Sequence, residues 1–247
     1  MTDPDKLLPI LKTHPSDLAS CALVVGDPKR AALAAELLTD AAEVGCNREY
    51  TTFTGEFAGK RVTISSHGVG GAGASICFEE LIQGGVKTII SAGTCGAMRQ
   101  GIQDGELIIG TGAIREDGTS EMLVPIAYPA IADRHVISAL EAAAAQGYTR
   151  LHEGIILTQS HFYHGILPST LDMWLEADVN VCAVEMELAT LLIIAGLHGV
   201  RAGGIFTSDG NLTEEADTTE YDPHRSVVEE GVNTMIKIAL DALARLA

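Results

Sequence analysis

Residues 21–38 read CALVVGDPKRAALAAELL: an apolar pentad, a glycine turn backed by a proline, then a run rich in alanine and leucine. Cys21–Val25 has the length and composition of a buried strand, Gly26-Asp27-Pro28 breaks it, and Lys29–Leu38 follows as a helix. A strand that hands over to a helix through a glycine turn aims backbone N–H groups at the strand's end, a place suited to an anion. Arg30 falls in the first turn of that helix, where a cation works against the helix dipole, so it either has a ligand of opposite charge or points to solvent.

The same alternation recurs outward from this stretch. Strands are expected at Val62–Ser66, Lys87–Ala92, Glu106–Gly112, Gly154–Thr158, Val181–Val184 and Arg201–Thr207, with a hairpin turn at Gly59-Lys60 behind a strand around Thr52–Thr54. Helices are expected from about Ser75 to Gly84, at Asp133–Gln146, Leu171–Ala177 and Met186–His198, and at Val227–Leu246, whose apolar residues form one stripe. Residues 1–20 read as a short helical turn and a loop, Ala113–Glu121 as a polar loop, and 211–225 as an acidic, turn-rich lid. Alternating strands and helices specify an α/β layered fold in which ligands gather at strand ends.

Composition narrows the function. The 247 residues are 47% hydrophobic, enough for a large core, and no linker or repeat divides them, so one domain over 1–247 is expected. A formal net charge of −17 argues against a nucleic-acid surface. The absence of a long apolar run or a basic-then-apolar leader argues against a membrane span or secretion and points to the cytoplasm. Cys21, Cys46, Cys77, Cys95 and Cys182 are odd in number, mostly within apolar runs and without zinc spacing, so reduced thiols and no metal are expected.

The chemistry concentrates at AVEMELAT, residues 183–190. Glu185 and Glu187 stand among apolar residues, where a charge is costly unless something binds it. An ionised carboxylate can accept from two adjacent hydroxyls of a polyol. The same acids also suit the first turn of a helix. His67–Ala74 packs four glycines into six residues between a strand and a helix, without the spacing of a dinucleotide or P-loop motif. Gly93-Thr94-Cys95-Gly96 is a second glycine-flanked strand end carrying a hydroxyl, and Gln159–Tyr163 places aromatics where they can stack on a flat ligand or close the core.

Together, Gly26-Asp27-Pro28, Asn47-Arg48-Glu49-Tyr50, Ser66–Gly70, Ala92–Gly96, Val184–Glu187 and Asp209-Gly210 resemble, in order and spacing, the nucleoside phosphorylase superfamily, in particular its hexameric purine nucleoside phosphorylase branch and the apicomplexan enzymes within it. The resemblance spans roughly residues 20–246. It implies a three-layer α/β/α domain with a central mixed β-sheet and phosphorolysis of inosine- or guanosine-type nucleosides to free base and ribose 1-phosphate. That is a pentosyltransferase activity of purine salvage, with phosphate as co-substrate and no cofactor. It also implies a homohexamer built as a trimer of dimers. Position by position, Gly26, Arg30 and Thr94 would bind phosphate, with Arg48 entering from a neighbouring subunit. Met186 and Glu187 would hold the ribose, and Phe162 and Glu185 would meet the base. Asp209 would also meet the base and protonate N7 of the departing purine, which requires an acid that keeps its proton near neutral pH.

Two positions depart from the family. Ser91 stands where the phosphorylases carry a phosphate-binding arginine, with Arg99 close behind, and water as nucleophile, as in the nucleosidases, is the alternative. Ile10 stands where a histidine usually meets the ribose 5′ hydroxyl; either His14 nearby replaces it as ribose ligand through a shifted loop, or the 5′ group meets an apolar surface, which favours a 5′-deoxy or 5′-methylthio nucleoside. A non-catalytic nucleoside-binding protein is a third reading. A uridine phosphorylase is disfavoured, because the Gln and Arg that pyrimidine enzymes place just after Phe162 are here His164, Gly165 and Ile166.

Overall fold

The computed structural model describes residues 6–148, 150–163, 165–177, 179–213 and 221–247. Part of the expected lid, 214–220, and His164 lie outside the described residues.

In chain order the elements are a 3₁₀ turn (Pro15–Asp17), β1 (Cys21–Val25), α1 (Pro28–Ala35), β2 (Thr39–Asn47), β3 (Tyr50–Phe57), β4 (Lys60–Ser66) and α2 (Gly71–Gln83). Then come β5 (Thr88–Ala97), β6 (Leu107–Glu116), α3 (Thr119–Leu123), β7 (Ala130–Ile131), α4 (Arg134–Ala144), β8 (Leu151–Gln159), α5 (Thr170–Glu176), β9 (Val181–Glu185), α6 (Leu188–His198), β10 (Arg201–Asn211) and α7 (Ser226–Leu246).

The strands form one mixed sheet with helices on both faces. Alternate residues of β1 show how: Ala22 and Val24 join Phe78 and Leu81 of α2 and Leu188 and Ile193 of α6 in one core. Leu23 and Val25 face the other way, into a core with Ala31 of α1, Leu140 of α4 and Met235 of α7. A strand buried on both faces reads as a continuous apolar run rather than an alternating one, which is why Cys21–Val25 is legible. α6 is buried along Leu188–Ala195, as its unbroken apolar character anticipates.

The sheet does more than lie between layers. It runs β10-β6-β8-β9-β5-β1-β4-β3-β2, and β10 pairs with β5 as well, so β5, β10, β6, β8 and β9 close into a ring while β1, β4, β3 and β2 extend from it as a wing. Closure lengthens strands beyond their apolar runs. β5 continues through the expected turn at 93–97, and β10 continues through Ser208-Asp209-Gly210, with Gly210 opposite Gly96 and Asn211 opposite Ala97. The register shifts between Ser208 and Gly210, which leaves Asp209 at a bulge that re-aims its side chain.

Two other elements differ from the sequence reading. β2 is an edge strand whose residues are mostly exposed, so no alternation marks it. β6 reaches Glu116 through the expected polar loop because Arg115 is buried: its guanidinium donates to the carbonyls of Ser120, Val124, Pro125, Ile126 and Tyr128. A buried cation satisfied by backbone carbonyls carries no hydrophobic signature.

Candidate active site

The candidate residues gather where β1, β4, β5, β9 and β10 end. Behind β1, Gly26 lies against the turn that follows β4. Gly68 N–H donates to the Gly26 carbonyl at 2.9 Å, and a Cβ on Gly26 would stand 3.3 Å from the Gly68 carbonyl oxygen. Asp27 caps α1 by accepting from the Lys29 N–H at 2.9 Å, and this capping places Arg30 in the first turn of the helix. Arg30 is half-buried, and burial lowers its proton affinity, while the carboxylates of Asp27, Asp209 and Glu187 act in the opposite direction. One guanidinium therefore sits in the shared field of three carboxylates, Asp27 from the cap of its own helix and Glu187 and Asp209 from distant parts of the chain.

Glu187 precedes α6, and its carboxylate accepts from the Gly70 N–H, which a φ of +91° at Gly70 presents to it. That backbone angle is one glycine adopts freely. Burial pushes the Glu187 carboxyl up, opposed by Gly70 and Arg30. Glu185 turns inward. Its Oε1 accepts from the Thr158 hydroxyl at 2.6 Å, and its Oε2 accepts from the N–H groups of Glu187 and Leu188, both at 2.8 Å. Thr158 Oγ1 in turn accepts from Ala189 N–H at 3.0 Å. Both oxygens of Glu185, which the family resemblance placed at the base, are thus occupied in fastening the start of α6 to β8. Burial and the neighbouring Glu187 push its carboxyl up as well. Met186 lies half-buried between them.

The head of α6 comes this close to the sheet because Gly110 and Gly204 have no side chains. A Cβ at either would stand 2.6 or 2.9 Å from a methyl group of Leu188.

Asp209 is 7% exposed, and burial raises its proton affinity. Tyr221 Oη donates to its Oδ2 at 3.0 Å, and the Thr94 hydroxyl of β5 approaches the same carboxyl; both interactions favour the ionised form, as does Arg30. Phe162 is 63% exposed, with its ring centroid 6.1 Å from that of Tyr221. Arg30, Glu187, Thr94, Asp209 and Phe162 are therefore linked directly or through one intervening group.

Arg48 and His14 lie elsewhere on this chain. Arg48 is exposed in the turn between β2 and β3 with φ +55°, and His14 is exposed at the start of the 3₁₀ turn. Asn47 beside Arg48 donates to the Ile10 carbonyl at 2.8 Å, so Ile10 and Arg48 share a surface. Ser91 is 4% exposed within β5, between Val24 of β1 and Gly204 of β10.

The chain matches the model of the phosphorylase superfamily over residues 20–244. It belongs to that superfamily. Purine nucleoside phosphorylase of Plasmodium vivax (strain Salvador I) is 38% identical over 227 residues, 91% of each chain. Uridine phosphorylase of Thermococcus kodakarensis is also 38% identical, over 199 residues covering 76% of this chain and 72% of that one. The crystal structure of Toxoplasma gondii purine nucleoside phosphorylase in complex with immucillin-H superposes with a TM-score of 0.92 at 32% identity, covering 100% of this chain and 98% of that one. This superfamily member is an enzyme of the pentosyltransferase type with a mixed-sheet α/β fold.

Sequence reasoning missed Thr158, Tyr221 and Arg225. Thr158 sits inside a strand as an ordinary β-former. Tyr221 and Arg225 lie in a polar stretch where only an aromatic residue among acids hinted at a role.

Proposed function

We propose that this chain is a purine nucleoside phosphorylase, moving the pentose of inosine- or guanosine-type nucleosides to phosphate and releasing the free base. Since a purine and a uridine enzyme are equally identical to it, the reading rests on the site. The observation that carries it is Asp209, a buried carboxyl of raised proton affinity aimed by a bulge at the end of β10. Breaking the N-glycosidic bond builds positive charge on the sugar and negative charge on the base. An acid at the base and an anion at the sugar stabilise the two ends.

In this scheme Asp209 gives its proton to N7 as the glycosidic electron pair moves to the base, and a phosphate oxygen forms the new bond to C1′. Gly26, Arg30 and Thr94 bind the phosphate, with Arg48 entering from a partner subunit. Glu187 accepts from the 2′ and 3′ hydroxyls, Met186 packs under the ribose, and Phe162 stacks on the base. Glu185 acts through Glu187 by holding the start of α6. Phosphate is the co-substrate and no cofactor takes part. Arg48 acting across an interface makes a dimer the smallest active unit, within a hexamer arranged as a trimer of dimers.

A second reading, hydrolysis, is favoured by one observation: Arg30 shares its surroundings with three carboxylates, and Ser91 supplies no second cation. Cleavage of inosine in phosphate-free buffer and in millimolar phosphate, with the sugar product identified and uridine run in parallel, tests both. Ribose 1-phosphate formed from inosine only when phosphate is present supports the phosphorylase. Free ribose at an unchanged rate identifies a hydrolase, and faster turnover of uridine overturns the purine assignment.

A further inference from the structure

Tyr221 reaches Asp209 from outside the sheet, and its surroundings fix it there. Besides the 3.0 Å hydrogen bond to Oδ2, its ring is close enough to β10 that a Cβ on Gly210 would stand 3.7 Å from it. Four residues on, Arg225 forms a 2.7 Å ion pair with Asp104 and donates to the Asp209 carbonyl at 2.9 Å. This segment is therefore tied to Asp209 twice, through the side chain by a phenol and through the backbone by a guanidinium.

The Tyr221 ring also faces Phe162 at 6.1 Å between centroids and 48° between planes. A flat ring stacked on both faces needs about 7 Å between its neighbours, two carbon contacts of about 3.5 Å. To take one heteroaromatic ring between them, the two side chains must part by roughly 1 Å and also turn from 48° toward parallel.

We propose that Tyr221 is a positioning residue for Asp209 and one wall of the base site. Its hydroxyl holds Oδ2 so that the remaining carboxyl oxygen is turned toward the base, and its ring opposes Phe162 where a flat base enters once the pair opens. This rests on the reading of Asp209 as the acid. The charged and titratable groups facing Asp209 are Arg30 from α1, Cys95 from β5, and Tyr221 and Arg225 from the segment before α7, with Glu187 beyond Arg30. Of these, Tyr221 is the one that hydrogen-bonds the carboxyl through a side-chain hydroxyl it can lose without losing its ring.

A hydrogen bond donated to a carboxylate favours the ionised form, so removing it raises the pKa of Asp209. The test is Tyr221→Phe in the full-length protein, with the side-chain carboxyl of Asp209 followed by ¹³C NMR titration and its signal assigned by absence in Asp209→Asn. The expected result is a rise of about one pH unit, with the basic limb of the kcat profile for inosine moving by the same amount. Tyr221→Ala, which also removes the wall, should raise the nucleoside KM about tenfold while Tyr221→Phe leaves it within about twofold. An unmoved Asp209 titration in folded Tyr221→Phe overturns the positioning role, and equal nucleoside KM values for the Phe and Ala variants overturn the wall. Full activity in Asp209→Asn overturns the acid assignment itself, whatever Tyr221 does to the titration.

Discussion

Replacing Glu185 by alanine separates a residue that builds the site from one that touches substrate. The carboxylate accepts three hydrogen bonds, from Thr158 Oγ1 and from the N–H groups of Glu187 and Leu188, and the residue is 5% exposed. Each buried donor left without an acceptor costs about 1–3 kcal/mol. Water entering the space left by the carboxyl takes up part of this, so the three together come to roughly 3–5 kcal/mol. Removing the carboxyl also relieves its repulsion with Glu187, by about 1 kcal/mol. The net loss is then roughly 2–4 kcal/mol, a large share of a typical folding stability of about 5–15 kcal/mol. At about 2–4 °C per kcal/mol for a chain of this size, the midpoint of thermal unfolding by circular dichroism should fall by about 5–15 °C at fixed protein concentration.

Glu185→Gln keeps one oxygen for the two backbone donors and offers an N–H to Thr158, whose hydroxyl can turn to accept, so its loss should stay below about 1.5 kcal/mol. In activity, loosening the start of α6 moves Glu187 and Met186, so the alanine variant should raise the nucleoside KM more than the phosphate KM. A midpoint within about 2 °C of the parent would refute the capping argument. A severe loss of nucleoside binding in the well-folded glutamine variant would return Glu185 to the base or the ribose.

Other outcomes follow from the same geometry. Asp209→Asn should lower kcat for inosine by about 10²–10⁴-fold with little change in nucleoside KM, measured by phosphate-dependent release of the base. Arg30→Ala removes a charge-assisted contact of about 1.5–3 kcal/mol and should raise the phosphate KM by roughly ten- to a hundredfold, whereas unchanged phosphate dependence would take Arg30 out of the phosphate site. Gly231→Ala in α7 opposes two effects: helix propensity favours alanine by about 1 kcal/mol. The added Cβ, however, would stand 2.6 Å from the Gly105 carbonyl oxygen and from Thr207 Cγ2. Backbone cannot yield cheaply, so a net loss of about 1–3 kcal/mol in urea unfolding is expected.

Stability should fall on both sides of a maximum in pH. The carboxyls of Glu185, Glu187 and Asp209 are raised in the folded protein, so they bind protons more tightly than in the unfolded chain. Their stabilising contribution is present below the ordinary carboxylate range and is lost as pH rises through the raised values. His67 is lowered by burial from 6.5 to about 4, so its contribution is present above 6.5 and is lost as pH falls toward 4. Urea midpoints measured across pH should show the alkaline slope flattened in Glu187→Gln.

Local chemistry was legible in the chain itself. An apolar pentad before Gly26-Asp27-Pro28 forms a strand because both its faces are buried, and the fully apolar α6 has nowhere to lie but the core. The break at Gly26-Asp27-Pro28 put Arg30 in the first turn of the following helix, and the carboxylates of Val184–Glu187 stand out because charge among apolar side chains needs a partner. These readings depend on neighbours within a turn or two, where periodicity and capping act.

What the tertiary structure decided depends on pairing across long stretches of chain. Closure of β10 onto β5 carried the strand beyond its expected end at Thr207, through a bulge that aims Asp209, and no local signal at Ser208-Asp209-Gly210 announces it. The inward turn of Glu185 required Thr158, 27 residues away, and the tie between Asp209 and Tyr221 required a polar segment to return to the strand end. Arg115 fell in an expected polar loop, and only the carbonyls that surround it in the fold make it a buried strand residue. A hydrogen-bonding side chain carries the same identity in the sequence whether it meets water, backbone or substrate, and only the packed fold selects among them.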